Sequence, residues 1–406
     1  MADLSVKFAG IKFKNPVLAA SAEPTLDVNL MRKVIEAGAG GLVAKSVSSA
    51  EGMRKLSKYS SWRYLNEKHE VARGKVPRLF TLYGRAGATL EPPKEWMKIL
   101  KEVKRIADGE GAVVIGSGLG PNIEDWVEQA KMMEDIGIEI MELNFGCPHP
   151  YSMKLGAKTG MEIGQDLELS SQIVKAVTEA VSIPIIAKCT PQIPDVVEMA
   201  QLMKDSGAAG VTLFNRFVGF VVDVESGKPL LSGWAGVGGP WVKPLTLRWI
   251  SKVHVAMDTF PISGSNGPYD WKDVAEFMMS GATTVQLCSV LMLKGIGYLK
   301  EVIAGLNEFL DRKGYKSVND IIGTAAKSAL LYDEIYAIGR SRSTIDEVKC
   351  TMCGNCLESC FYSAIDTDGD KVWVNDNCVG CGICYCVCPA DAVELSELQP
   401  LEDPER

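Results

Sequence analysis

The sequence predicts a parallel (β/α)8 TIM barrel over residues 1–339, followed by a small cysteine-rich α+β domain over residues 340–406. Three observations carry this reading. Short apolar runs bounded by glycine or proline recur through the first part of the chain, each followed by a longer stretch of helical periodicity. Eight such runs occur, continuously apolar and therefore suited to burial on both faces. Nine of the twelve cysteines fall after position 349, so the thiols mark a separate unit.

In chain order, the predicted strands are PVLAAS (16–21), GGLVAKS (40–46), GAVVIGS (111–117), IEIMELN (138–144), IPIIAKC (183–189), AGVTLFN (209–215), FPISGS (260–265) and TTVQLCS (283–289). Between them stand amphipathic stretches such as NLMRKVIEAG, NIEDWVEQAKMMEDIG, LELSSQIVKAVTEAV, PDVVEMAQLMKDSG and WKDVAEFMMSG, most ending in the glycine that terminates helices. An open doubly wound sheet is the competing architecture. It would carry a glycine fingerprint after its first strand, and none follows PVLAAS; GSGLGP at 116 has the wrong spacing. A mixed helical and polar segment then leads to the cysteine region.

Composition excludes several function classes. The 43 basic and 51 acidic residues give a net charge of -8, with no basic run able to track a phosphate backbone, so nucleic acid is not an expected partner. No apolar stretch reaches the roughly 20 residues of a membrane span, and MADLSVKFAG lacks the order of a signal peptide. The expected location is the cytoplasm, where clustered thiols read as metal ligands.

Two copies of one pattern occur at the tail: Cys350, Cys353, Cys356 and Cys360, then Cys378, Cys381, Cys384 and Cys388, the last followed by proline. Thiolate suits iron, and C-x-x-C-x-x-C-x-x-x-C lets three cysteines hold one cubane while the fourth reaches to another. The spacing therefore predicts a two-cluster ferredoxin-like module with Cys350, Cys353, Cys356 and Cys388 on one [4Fe-4S] cluster, and Cys378, Cys381, Cys384 and Cys360 on the second. Paired C-x-x-C hairpins holding structural zinc are the competing reading. Phe361 stands where proline is usual after the first quartet, and Cys386 lies outside the spacing.

Such clusters carry electrons singly, so the substrate chemistry belongs to the barrel, whose active sites lie at the C-terminal strand ends. There the loops SGSNGP (263–268) and CSVL (288–291) could hold a phosphate through backbone N–H groups at Gly264 and Gly267, although ordinary turn glycines would explain the same residues. Lys45 and Lys188 end two strands, where a buried cation requires an anionic partner. A reduced flavin provides one.

The segments LAASAEPT, VAKSV, MELNFGCPHP, IIAKCTP and FPISG, in this order and followed by the cysteine tail, resemble the catalytic subunit of dihydropyrimidine dehydrogenase and, more distantly, dihydroorotate dehydrogenase. The resemblance spans nearly the whole chain. It implies FMN over the barrel mouth, surrounded by Ala20, Ser21, Lys45, Ser46, Asn144, Lys188, Asn215, Gly238, Gly264, Asn266, Gly267, Cys288 and Ser289, with Asn144 and Asn215 also facing the substrate ring.

Departures from that family are equally informative. Where it places a cysteine or serine as proton donor, two residues before Gln165, this chain has Ile163, and the loop PHPYSMKLGAKTGMEIGQ is longer than usual. Thr81 replaces an amide, and Arg216 replaces a small hydroxyl. Three readings follow. Lys158, Glu162 or His149 protonates a different substrate, whose carboxylate or phosphate pairs with Arg216; or Cys147 is the donor; or a pyrimidine is reduced with altered acid chemistry. The expected reaction is hydride transfer from FMN to an activated C=C bond of an anionic ring compound or thioester, or its reverse, in an anaerobic setting. No NAD(P) site is recognisable, so ferredoxin or a separate FAD- and NAD(P)-binding subunit is expected as electron partner, in a homo- or hetero-oligomer. The alternative of another class is an electron relay without its own substrate.

Overall fold

The computed structural model describes residues 1–149, 154, 156–331, 334 and 338–399. Contacts divide the chain into two units, Met1–Lys327 and Ser328–Arg406, whereas the composition change places the boundary at 339.

The first unit is the predicted barrel. Its strands are β1 (Val17–Ala19), β2 (Gly41–Val43), β3 (Val113–Leu119), β4 (Ile140–Asn144), β5 (Ile185–Lys188), β6 (Gly210–Leu213), β7 (Ile262–Ser265) and β8 (Thr284–Leu287). They pair in parallel in the order β2-β1-β8-β7-β6-β5-β4-β3, and pairing of Gly41 with Val113 closes the ring. Every strand residue is buried, which is why the sequence shows continuous apolar runs rather than alternation.

One helix follows each strand: α1 (Val28–Glu36), α2 (Pro93–Glu110), α3 (Ile123–Asp135), α4 (Leu167–Ala180), α5 (Val196–Asp205), α6 (Lys243–Ala256), α7 (Trp271–Met279) and α8 (Tyr298–Lys313). Side chains of Asp27, Asn122, Asp166, Asp195 and Asp270 accept backbone N–H groups at the starts of α1, α3, α4, α5 and α7, each cap contributing about 1 kcal/mol. On β7, a Cβ at Gly264 would stand 2.4 Å from Phe277 Cδ1, so glycine there is what lets α7 lie on the sheet. A hairpin of Val6–Phe8 and Ile11–Phe13 precedes the barrel, and its buried Phe8 and Phe13 rings come against Gly210 and Gly41 at the N-terminal ends of β6 and β2.

An antiparallel sheet unforeseen from the sequence is built from two loops at the opposite, C-terminal end. Ser61–Leu65 and Thr81–Arg85 come from the loop after β2; Phe217–Gly219 and Ala235–Gly238 come from the loop after β6. Thr81–Arg85 pairs with both Ser61–Leu65 and Ala235–Gly238, which joins the two loops.

The second unit is α+β. Ser343–Ile345 pairs with Val393–Leu395, Ile365–Thr367 pairs with Val372–Val374, and short helices cover Asn355–Glu358 and Ile383–Val387. Its core comprises Ile365, Val372, Cys384 and Val393.

Candidate active site

A cleft of about 880 Å3 opens at the C-terminal ends of the barrel strands. It collects Ala20 and Ser21 after β1, Lys45 and Ser46 after β2, Asn144 and Cys147 at β4, and Lys188 at β5. Asn215 and Arg216 after β6, Gly238, Asn266 and Gly267, and Cys288 and Ser289 after β8 complete the predicted set that lines it. The period of two along a strand explains the register: Glu142 and Asn144 point inward from β4 while their neighbours face the helices.

Thr81 and Gly264 are buried but do not line the cleft. Lys158 ion-pairs with Asp166, the cap of α4, and its side chain is 53% exposed. Glu162 accepts the backbone N–H of Thr159 and also lies outside the lining. Ile163 is 1% exposed in the core, where no proton is exchanged. Of the strand-four loop, residues 150–153 and 155 lie outside the described residues.

A chain of hydrogen bonds crosses the floor of the cleft. Ser46 Oγ lies 3.2 Å from Ser21 Oγ and 2.7 Å from Ser117 Oγ, and accepts from Asn144 Nδ2 at 3.0 Å. Asn215 Nδ2 donates to Asn144 Oδ1 at 3.0 Å, and the Arg216 backbone N–H donates to Asn215 Oδ1 at 2.8 Å. These bonds fix both amides in one orientation.

The two predicted lysines meet carboxylates that sequence reasoning missed. Lys188 Nζ lies 3.3 Å from Glu142 Oε1 and donates to Gln286 Oε1 at 2.9 Å; Glu142 is fully buried and also accepts from Thr212 Oγ1 and Gln286 Nε2. Lys45 Nζ lies 3.5 Å from Glu23 Oε1, and Glu23 Oε2 is buried without a hydrogen-bond partner at the edge of the cleft. The anionic partner demanded by each buried lysine is thus already supplied by the chain. Glu142 stands inside the predicted strand segment, so its inward register was the available signal.

Arg216 Nη1 donates to the carbonyls of Gly84 and Gly236 at 2.9 and 3.3 Å, and its guanidinium sits 4.6 Å from the centre of the Trp62 ring. None of these partners is anionic. Burial lowers its pKa, opposed by nearby Cys288 and Glu23. Burial pushes the Cys147 thiol up, which keeps its proton in place at neutral pH. His149 lies in an adjoining cavity; burial, then the charge of Arg216, pushes it down to about 3, so the ring is neutral near pH 7.

Residues of the cleft suit an FMN-sized ligand. Positive φ values at Asn266 (68°) and Gly267 (133°) turn the loop after β7 against α6, where a Cβ at Gly267 would stand 2.9 Å from the Lys243 Cα.

In the second unit, Cys350, Cys353, Cys356 and Cys388 together line a cavity of about 340 Å3. Among the described residues, no group of three or more His, Cys, Asp or Glu side chains is placed to hold a metal ion. The two motifs repeat structurally. Gly354 and Gly382 are both left-handed, at φ 81° and 79°, and Cys360 and Cys388 Sγ each accept a backbone N–H from Ala364 and Ala392 at 3.2 Å. Cys384 Sγ lies 3.2 Å from Ser343 Oγ, while Cys386 is exposed. All twelve cysteines are free of disulfides.

Comparison with known proteins places this geometry in context. Residues 93–310 match the family model described as dihydroorotate dehydrogenase. The chain is 32% identical over 326 residues to the catalytic subunit of dihydroorotate dehydrogenase B (NAD(+)) of Pyrococcus abyssi, covering 80% of this chain and 99% of that one. It is 29% identical over 412 residues to the NAD-dependent dihydropyrimidine dehydrogenase subunit PreA of Escherichia coli K12, covering 98% of this chain and 96% of that one. The catalytic subunit of dihydroorotate dehydrogenase B from Methanothermobacter thermautotrophicus is 29% identical over 324 residues.

Proposed function

The chain belongs to the dihydroorotate dehydrogenase family and is an oxidoreductase, and on that premise we propose that it is an iron-sulfur flavoprotein acting on an activated C=C bond of a small anionic ring compound or thioester. Bound FMN would supply the hydride chemistry and two [4Fe-4S] clusters the one-electron transfer. Lys45, Ser46, Asn144, Lys188 and the loop Asn266–Gly267 would hold the flavin, and the two cysteine quartets would hold the clusters, their doubled C-x-x-C-x-x-C-x-x-x-C spacing favouring iron-sulfur over zinc.

The observation that carries the substrate class is Arg216: a guanidinium on the cleft wall, oriented by two carbonyls and an aromatic face, with no anionic contact among the described residues. An acidic group on the substrate completes it. Asn144 and Asn215, locked by their mutual hydrogen bond, present fixed amide edges to the ring. Of the four acids singled out from the sequence, Cys147 lines the cleft, and its raised pKa lets Sγ–H keep its proton until transfer.

Reduction of a neutral pyrimidine is the second reading, favoured by the full-length likeness to the PreA subunit and by the amide pair. We further propose that the protein works in the cytoplasm and receives electrons from ferredoxin or a separate FAD- and NAD(P)-binding subunit; among the described residues no helix is long and apolar enough to cross a membrane. The test is anaerobic. The purified protein is reduced, and reoxidation is followed spectroscopically with uracil, thymine, orotate, cyclic carboxylates and thioesters. Reoxidation by an anionic compound, lost in Arg216→Gln, supports the first reading; reoxidation by uracil alone selects the second; reoxidation only by a partner protein leaves an electron relay. Rapid flavin bleaching by NADPH alone would refute the need for a partner.

A further inference from the structure

Beside the cleft lies a second cavity of about 130 Å3, and the two share Ala86, Gly87, Leu119 and Cys147 as a common wall. Small residues at 86 and 87 contribute little side-chain bulk to that wall. On the far side, two polar atoms are buried without a hydrogen-bond partner: Arg85 Nε and His149 Nε2. A buried polar group without a partner costs about 1–3 kcal/mol, and more when charged. Both atoms belong to residues that line this one cavity, and among the described residues neither has a partner.

The charges agree. Arg85 ends the strand Thr81–Arg85, one residue from Gly84, whose carbonyl takes Arg216 Nη1 and also the His149 ring. Arg216 therefore faces the cleft and Arg85 the side cavity, on either side of one peptide unit. Arg216, Arg85 and Lys45 all act on His149 as cations and, with burial, hold it neutral. Bonded to the Gly84 carbonyl, the ring donates there and leaves Nε2 as an acceptor. Met53 and Leu56 supply an apolar wall.

Resting on the reading that Arg216 takes one acidic group of the substrate, we propose that the side cavity is a subsite for a second acidic group, carried on a short apolar arm of the same ring compound. That group accepts from Arg85, and the arm lies against Met53 and Leu56. A phosphate or phosphonate monoanion satisfies both orphaned atoms, since one oxygen accepts from Arg85 and the remaining P–OH donates to His149 Nε2. A carboxylate satisfies Arg85 alone.

Calorimetric titration of the flavin-loaded protein at pH 7 tests this with three probes: benzoate, 3-(carboxymethyl)benzoate and 3-(phosphonomethyl)benzoate. At least tenfold tighter binding of an arm-bearing probe over benzoate is expected, with the phosphonate tightest. Arg85→Gln should erase the gain while leaving benzoate unchanged, and His149→Phe should erase only the advantage of phosphonate over carboxylate. Equal affinity for all three probes, or a gain that survives Arg85→Gln, overturns the subsite. Failure of benzoate to respond to Arg216→Gln would instead overturn the anionic-substrate reading on which it rests.

Discussion

Glu142→Gln probes the electrostatics beneath the cleft. The wild-type carboxylate is fully buried, 3.3 Å from Lys188 Nζ, whose side chain is 5% exposed. At an effective dielectric of roughly 20, that separation corresponds to about 5 kcal/mol of attraction before desolvation. Glutamine keeps the shape but leaves the ammonium with the Gln286 carbonyl as its protein acceptor, at 2.9 Å. Removing one partner of a buried pair costs about 3–5 kcal/mol; with Gln286 retained, the lower end is expected. Urea unfolding at pH 7, followed by tryptophan fluorescence on samples of equal flavin content, reads the change in midpoint. The double variant Glu142→Leu/Lys188→Met removes both charges and should lose at least about 1 kcal/mol less than the sum of its single changes, as coupled neighbours do. A Glu142→Gln midpoint within about 0.5 kcal/mol of wild type, or strict additivity in the double variant, would refute the reasoning that this charge is balanced inside the barrel.

Other consequences are open to direct measurement. His149 is pushed down to about 3, so its ring stays neutral from pH 5 to 8; His149→Asn should leave unchanged the shape of the pH profile for substrate-driven flavin reoxidation in that window, and loss of a limb there would restore histidine as the acid. Asp273 is buried and accepts from Arg78 Nη2 at 2.6 Å and Lys243 Nζ at 2.8 Å, which hold its carboxyl below the usual range against the opposing effect of burial. Its contribution is therefore present above the unfolded value near 4 and is lost as pH falls through the lower folded value, so Asp273→Asn should destabilise the barrel at pH 7 by about 2–4 kcal/mol and flatten its acid unfolding curve. Cys388→Ser should lower iron from about eight to about four atoms per chain, as two independent cubanes require. An unchanged iron content, or zinc in its place, would contradict the cluster assignment.

The amino-acid order alone determined the barrel and the presence of a separate cysteine-rich unit. Continuous apolar runs such as IEIMELN report burial on both faces, a local property set by the two sides of a parallel sheet, and each of the eight runs overlaps a barrel strand. Cysteine spacing is equally local, because three thiols within seven residues are forced onto one loop. What only the tertiary structure decided depends on residues far apart in the chain. The bond from Arg216 to Gly84 spans 132 positions and that from Gln286 to Glu142 spans 144, so no periodicity could announce either. The short strands Thr81–Arg85 and Ala235–Gly238 gain their conformation from pairing with each other, not from their own composition, and with them came the cavity that faces Arg85 and His149. Lys158 and Glu162, chemically able to give a proton, lie outside the cleft lining, Lys158 paired with Asp166 and Glu162 accepting the Thr159 N–H.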